Sequence, residues 1–310
     1  MNPHTDPMKA DLHIHSCYSD DGELGIPEIM ELCRKQGVGL FSVTDHNGVK
    51  GAREAASLCT PSQDLYFVAG IEIDCNCKGT DLHLLGYGVN MNGNDFDTLQ
   101  TAVRRKYLDA VPQMIRSLEQ LGIFVDREEL MRRSGGEPPT GELFAELLLE
   151  DPDQHSNPSL LPYLPGGERS DMPLINFYLD FFAQGKPAYV KIEHPDFKEA
   201  VALVRDNGGI PVVAHPGLNL KGREGMVGEL MDMGAAGLEV FNNYHQEQQM
   251  SYFAGEITRR GALMTCGSDF HGHTKPRIHI GQYKLLEDFR EYLDQSVSVI
   301  SGRTQKKVSR

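Results

Sequence analysis

The chain has 310 residues, 40% hydrophobic and 24% charged, which fits one large globular domain or one domain carrying an insertion. Its formal net charge of −14 argues against a broad nucleic-acid surface, because neutralising a run of phosphates needs clustered Lys and Arg. No apolar run approaches a membrane span in length, and the opening MNPHTDPMKAD lacks the apolar core of a signal peptide, so a cytoplasmic location is expected. The six cysteines (Cys17, Cys33, Cys59, Cys75, Cys77 and Cys266) form no CxxC pair and read as reduced packing thiols.

Seven short β-like runs follow one another. They are ADLHIH (10–15), GLFSVTD (39–45), YFVAGIEID (66–74), DLHLLGYGV (81–89), IPVVAHP (210–216), GLEVFN (237–242) and ALMTCGSD (262–269). Most are rich in Val, Ile, Leu and Ala without clean alternation, as strands buried on both faces are. Helical patterns at 27–36, 197–206 and 225–233 lie between them, each closed by a glycine (Gly37, Gly208, Gly234). Strand, helix, Gly, strand is the grammar of a parallel sheet or barrel. The third and fourth runs are joined only by CNCKGT, too short for a parallel crossover, so the barrel should be irregular.

Residues 93–193 read differently. FDTLQTAVRRKYLDAVPQMIRSLEQLG has apolar residues at helical spacing; REELMRRSG and GELFAELLLED follow. The stretch 151–173 is dense in Pro, Gly, Asp and Ser and reads as a long loop. The expected organisation is a barrel from 1–92 and 194–310, with 93–193 inserted as a helical lid or substrate subdomain. The tail GRTQKKVSR is polar and expected to fray.

His13 and His15 carry the first chemical signal. In a strand, residues i and i+2 share a face, so both imidazoles point one way and Leu12 and Ile14 the other. His46 ends the second run, Glu72 lies inside the third, His83 inside the fourth, and His215 ends the fifth. Asp269 and His271 repeat the i, i+2 pairing after the seventh. Six of the twelve histidines thus sit in or at the ends of β-like runs, where barrel enzymes keep their active sites. Imidazole mixed with carboxylate suits Mn, Fe or Zn.

In DLHIHS..SDDG, TDH, GIEI, HLLGYG, VVAHPG and GSDFH, in that order, the chain resembles the PHP (polymerase and histidinol phosphatase) family. The resemblance implies an α/β fold, a distorted (β/α)7 barrel with an inserted, mostly helical subdomain, and a centre of two or three divalent ions. By motif position, His13, His15, Glu72 and Asp269 would hold the first ion and Asp20, His46 and His271 the second. Glu72 would bridge to a third, held also by His83 and His215. Asp20 has the usual spacing from the HxH pair, with Asp21 the neighbouring alternative.

The expected activity is hydrolysis of a phosphate ester of a small molecule, a nucleotide or sugar phosphate, by a metal-bridging hydroxide. Three divalent ions against three carboxylates would leave the pocket positive despite the acidic whole. Asp269 is the catalytic candidate among the ligands, and His245, just past the sixth run, a candidate acid for the leaving group. Arg277, Lys275 and His279 in HGHTKPRIHIG are candidate substrate contacts, as are Lys186 and Tyr189 in GKPAYV. His4, His155 and His194 read as solvated.

Similar nucleotide phosphatases carry an RGH or RPH run at a helix start in the insertion. This chain has Thr140–Gly141–Glu142 there, leaving Arg169 or the Arg132–Arg133 pair to supply a phosphate contact. That departure turns attention from a 3′,5′-bisphosphonucleotide toward a cyclic phosphodiester of a sugar. Further alternatives are an exonuclease on short oligonucleotides and a non-catalytic barrel module. Long nucleic acid and membranes are not expected partners, and the sequence does not fix the oligomeric state.

Overall fold

The computed structural model describes residues 8–59 and 65–303, so His4 and most of the polar tail lie outside the described residues. Two compact units make up the chain. The first takes in residues 1–99, 194–271 and 278–310, and the second 100–193 with 272–277. Among the described residues no helix is long and apolar enough to cross a membrane.

The strands are β1 (Ala10–Ile14), β2 (Leu40–Val43), β3 (Tyr66–Cys77), β4 (Thr80–Tyr87), β5 (Ile210–Val213), β6 (Gly237–Phe241) and β7 (Leu263–Cys266). The helices, in chain order, are α1 (Ile26–Lys35), α2 (Lys50–Leu58), α3 (Asp95–Glu119), α4 (Arg127–Arg133), α5 (Gly141–Glu150), α6 (Pro173–Phe181), α7 (Phe197–Asp206), α8 (Pro216–Asn219), α9 (Val227–Asp232), α10 (Glu247–Arg260) and α11 (Arg290–Ser301).

In the first unit the seven strands form one sheet in sequence order. β1, β2 and β3 pair parallel, as do β5, β6 and β7, while β4 runs antiparallel to both neighbours. The short CNCKGT link explains the reversal. β3 continues through Cys77 and turns at Lys78 and Gly79, whose φ values of 50° and 82° suit a two-residue hairpin. Past β7 the chain meets β1 again. The N–H of Asp269 donates to the His13 carbonyl and that of His15 to the Phe270 carbonyl, both at 2.9 Å. The barrel closes there, as the irregular βα pattern led us to expect.

The helices cover this barrel with amphipathic faces. In α7, Phe197, Ala200, Val201 and Val204 recur at i, i+3, i+4 and i+7, and all are buried. Asp196 caps its start, Glu199 reaches back to the Asp196 N–H, and Gly208 takes φ 74° just past its end. Leu12, Ile14, Phe41, Ile71, Leu84 and Val240 fill the core beneath such helices.

The second unit has its own apolar core, including Leu118, Ile123, Leu130, Phe144, Leu148 and Phe177. The Pro-rich stretch 151–173 is more ordered than a bare loop. Prolines open 3₁₀ turns at Pro152–Gln154 and Leu161–Tyr163, and Leu160 and Tyr163 are buried in that core.

Candidate metal centre

The strand geometry brings the singled-out side chains to one end of the barrel. His13 lies inside β1 and His15 just past it, while His46, His215, Asp269 and His271 follow the ends of β2, β5 and β7. Glu72 sits within β3. Because β4 is reversed, its early residue His83 lies level with the end of β5, and its carbonyl accepts the Ala214 N–H at 3.0 Å.

Glu72 is the centre of the group. It is fully buried; its Oε2 lies 3.1 Å from Nε2 of both His13 and His15, and its Oε1 lies 3.0 Å from His83 Nδ1 and 3.1 Å from His215 Nε2. Asp269 Oδ1 is 3.2 Å from both His13 Nε2 and His15 Nε2. Nearby, Asp21 Oδ2 is 2.9 Å from His271 Nε2 and 3.6 Å from His46 Nε2. Three clusters of potential ligand atoms result: His13, Glu72, His215 and Asp269; His15, Asp21, His46 and His271; and His46, Glu72 and His83.

The outward nitrogens show how the rings are set. His13 Nδ1 donates to Glu239 at 2.9 Å, His46 Nδ1 to Asp74 at 2.8 Å, His215 Nδ1 to Asn219 Oδ1 at 2.6 Å, and His271 Nδ1 to the Asp269 carbonyl at 2.9 Å. His15 Nδ1 donates to Ser19 Oγ at 3.2 Å, and that hydroxyl in turn donates to Asp21 Oδ1 at 2.8 Å. In five of the six histidines, therefore, Nδ1 holds the hydrogen and Nε2 turns a lone pair inward. Such outer partners are what fixes the tautomer of a metal-binding imidazole.

This arrangement fits divalent cations. His13 Nε2 and His15 Nε2 are 3.2 Å apart, with both Nδ1 atoms already donating outward. Two inward lone pairs at that separation call for a cation or a proton between them. Ligand atoms of a four-coordinate ion with bonds of about 2.0–2.1 Å lie roughly 3.3 Å apart, close to the 3.1–3.2 Å measured among His13, His15, Glu72 and Asp269.

Without a cation the charges lean on one another. Burial opposes ionisation of Glu72, but His13, His46 and His83 hold it well below the usual carboxylate range. Burial likewise opposes charge on Asp21, and His271 and His46 overcome it. Burial resists protonation of His13, yet Glu239, Glu72 and Asp269 keep it protonated far above the usual imidazole range. Burial pushes Asp45 up to about 6, although the Ser16 N–H and hydroxyl both bond to it.

Backbone strain concentrates here. Asn47, His215 and Asp269 have φ of 56°, 21° and 57°, uncommon for residues with a Cβ. Gly267 has no room for a side chain, since a Cβ would sit 2.3 Å from His13 Cβ and 2.7 Å from Glu239 Oε1.

Several expectations change. Asp21, not Asp20, turns its carboxylate into the second cluster; Asp20 is exposed, because the turn after Ser19 points the earlier side chain outward. His245, expected as a leaving-group acid, is engaged by the backbone instead. It is fully buried, its Nδ1 donates to the Val240 carbonyl at 2.8 Å, its Nε2 accepts the Gly217 N–H at 3.0 Å, and burial lowers its pKa. His194 is half-buried and close enough to Asp74 to help keep it ionised, rather than solvated. His155 is exposed.

Among the candidate substrate residues, Lys186, Tyr189, Lys275 and Arg277 belong to the second unit, and His279 is an exposed residue of the first. Lys275 is buried, and Arg277 pairs with Asp171 at 2.9 Å. Arg169 is paired with Asp180, Arg132 with Glu129, and Arg133 with Glu129 and Glu150. Thr140 caps α5 through its hydroxyl.

Sequence reasoning passed over Asp74, Glu239 and Tyr244. Tyr244 donates to Asp269 Oδ2 at 2.5 Å, which leaves Oδ1 facing the His13–His15 pair. Glu239 carried the same signal as Glu72, a carboxylate inside an apolar strand, and Asp74 shares a strand face with Glu72 two residues on.

The PHP domain profile matches residues 11–185. A 3′,5′-nucleoside bisphosphate phosphatase from Chromobacterium violaceum is 28% identical over 265 residues, covering 84% of this chain and 86% of that protein. A 5′-3′ exoribonuclease from Haemophilus influenzae is 27% identical over 272 residues, covering 85% and 90%. A phosphoribosyl 1,2-cyclic phosphate 1,2-diphosphodiesterase from Eggerthella lenta is 27% identical over 279 residues, covering 88% and 98%. Among solved structures, a Chromobacterium violaceum chain described as an amidohydrolase with bound sulfate shares the fold at a TM-score of 0.76 and 23% identity, covering 96% of this chain and 98% of that one.

Proposed function

We propose that this chain, which belongs to the PHP domain family, is a phosphoesterase that cleaves a phosphate ester of a small molecule with two or three bound divalent ions. The observation that carries the reading is Glu72, whose two buried oxygens face separate imidazole groups, His13 with His15 on one side and His83 with His215 on the other. His13, His15, Glu72 and Asp269 would hold one ion, Asp21, His46 and His271 a second, and His83, His215 and Glu72 a third. Bound there, the ions supply Lewis acidity toward phosphoryl oxygen.

The chain's own residues prepare that chemistry. Tyr244 fixes which Asp269 oxygen turns inward. Glu239, Asp74, Ser19 and Asn219 hold imidazole tautomers so that lone pairs face the centre. The side chain of His83 is 28% exposed and that of His46 15%, against 0% for His13 and His15. A phosphoryl group therefore has its approach on the His46–His83 side.

The relatives named above act on a bisphosphorylated nucleoside and on a cyclic sugar phosphate. Both support a small phosphorylated substrate, and the arginine pairing in the second unit leaves the cyclic diester as the second reading. The net charge of −14 counts against long polymers, while the exoribonuclease relative keeps short oligonucleotides in the panel.

The test is phosphate release with and without Mn²⁺, across nucleoside 3′,5′-bisphosphates, sugar phosphates, cyclic phosphates and short oligonucleotides, with Asp269→Asn as control. Metal-dependent release lost in the control is expected. Full activity after exhaustive metal removal, or in Asp269→Asn, would sink the proposal.

A further inference from the structure

We infer that Asp74 is a positioning residue that sets the occupancy of one ion site, the one His46 completes with Asp21 and His271, ahead of the rest of the centre. The inference rests on the metal-centre reading above. Asp74 is not a ligand in any of the three clusters, yet it is buried and placed between His46 and His83. Its Oδ1 accepts from His46 Nδ1 at 2.8 Å and lies 3.6 Å from His83 Nε2. A carboxylate on the outer nitrogen fixes the tautomer and orientation of a ligating imidazole and raises its basicity.

The carboxylate is itself held rigidly. Asp74 Oδ2 accepts from Asn47 Nδ2 at 2.8 Å, and the Asp74 N–H donates to Asn47 Oδ1 at 3.0 Å. This reciprocal pair ties β3 to the residue after His46, where Asn47 holds a left-handed φ of 56°. Asp74 therefore sets both the ring of His46 and the backbone turn that presents it. Glu239 serves the other side of the centre, bonding His13 Nδ1 and the His215 N–H. With one buried carboxylate behind each side, removal of Asp74 acts on the His46–His83 side first. That side is also the more exposed, so its ion has the fewest other constraints.

The experiment is metal titration of the full chain with Mn²⁺, read as equivalents bound by elemental analysis after rapid desalting, for wild type, Asp74→Asn and Asp74→Ala. Melting of the metal-free proteins is measured alongside. Expected is a loss of about 10–100-fold in affinity for one equivalent, with the tighter equivalents unchanged. Asp74→Glu, which keeps the charge, should recover part of it.

Wild-type affinity for every equivalent in Asp74→Ala overturns the inference, as does equal weakening of all equivalents. If Asp74→Ala fails to fold, Asp74→Asn, which keeps the size and an acceptor, decides between the same outcomes. A wild type that binds none brings down the metal-centre reading itself, which is a distinguishable failure.

Discussion

Glu239→Gln asks whether the buried outer carboxylates control the centre. Glu239 is fully buried; Oε1 accepts from His13 Nδ1 at 2.9 Å and Oε2 accepts the His215 N–H at 2.8 Å. Glutamine keeps the shape but offers one oxygen and one NH₂, so one of those two donors must face another donor. A buried donor left without a partner costs about 1–3 kcal/mol. Rotation of the His13 ring to escape it would displace Nε2 from the His15–Glu72–Asp269 group. Through either route the ion near His13 should bind roughly 10–100-fold more weakly, the range typical for loss of such outer partners. The two figures agree, since tenfold corresponds to about 1.4 kcal/mol. Competition with a chromophoric chelator measures the affinity, and Glu239→Asp, which retains two acceptor oxygens on a shorter arm, should fall between. If Glu239→Gln binds Mn²⁺ and Zn²⁺ within twofold of wild type, the outer carboxylate does not act through His13 and the reasoning is wrong.

Asp21→Asn should cut metal-dependent turnover at least about 100-fold, while Asp20→Asn should leave it near wild type; parallel assays of phosphate release would refute the assignment if the ranking reversed. Gly267→Ala should abolish metal uptake, because its Cβ would overlap His13 Cβ and press on Glu239; retained stoichiometry would show that the backbone yields there. His245→Gln should lower stability by about 1–3 kcal/mol through its two lost backbone bonds without moving the alkaline limb of the pH–rate profile; a shifted limb would restore an acid role. The pH response of the metal-free chain has a definite sign. Asp21 and Glu72, held low, add stability above the ordinary carboxylate pKa of about 4 and lose it as pH falls through their depressed values. His13 and His46, held high, add stability below about 6.5 and lose it as pH rises through their raised values. Metal replaces those protons, so the rise in melting temperature on adding Mn²⁺ should grow from pH 6 to pH 8; a rise that shrinks would contradict the linkage.

What the sequence makes legible follows from which signals survive without distance. His13, His15, Glu72, His83, His215, Asp269 and His271 stand out because a titratable side chain in or at the end of an apolar strand is conspicuous on its own. The CNCKGT link is just as direct, since its length forbids a parallel crossover whatever the fold. Asp21 could not be separated from Asp20, because their order of exposure depends on a turn fixed by Ser19, whose hydroxyl bonds Asp21 while accepting the His46 N–H from a distant strand. Helix α2 goes unread because its buried face is made of Gly51, Ala52 and Ala55, too small to write an apolar period. His245 misleads for the opposite reason. Its place after β6 suggests chemistry, but the two backbone groups that neutralise it come from Val240 and Gly217, and only the folded chain brings Gly217 within reach. The proposed ligands are thus written in strand-end composition, whereas the groups that aim them gain their roles from partners the sequence does not pair: Asp74 with His46, Glu239 with His13 and His215, and Tyr244 with Asp269. A substitution survey restricted to the proposed ligands would miss that second set, on which the affinity of such a centre is expected to depend as directly.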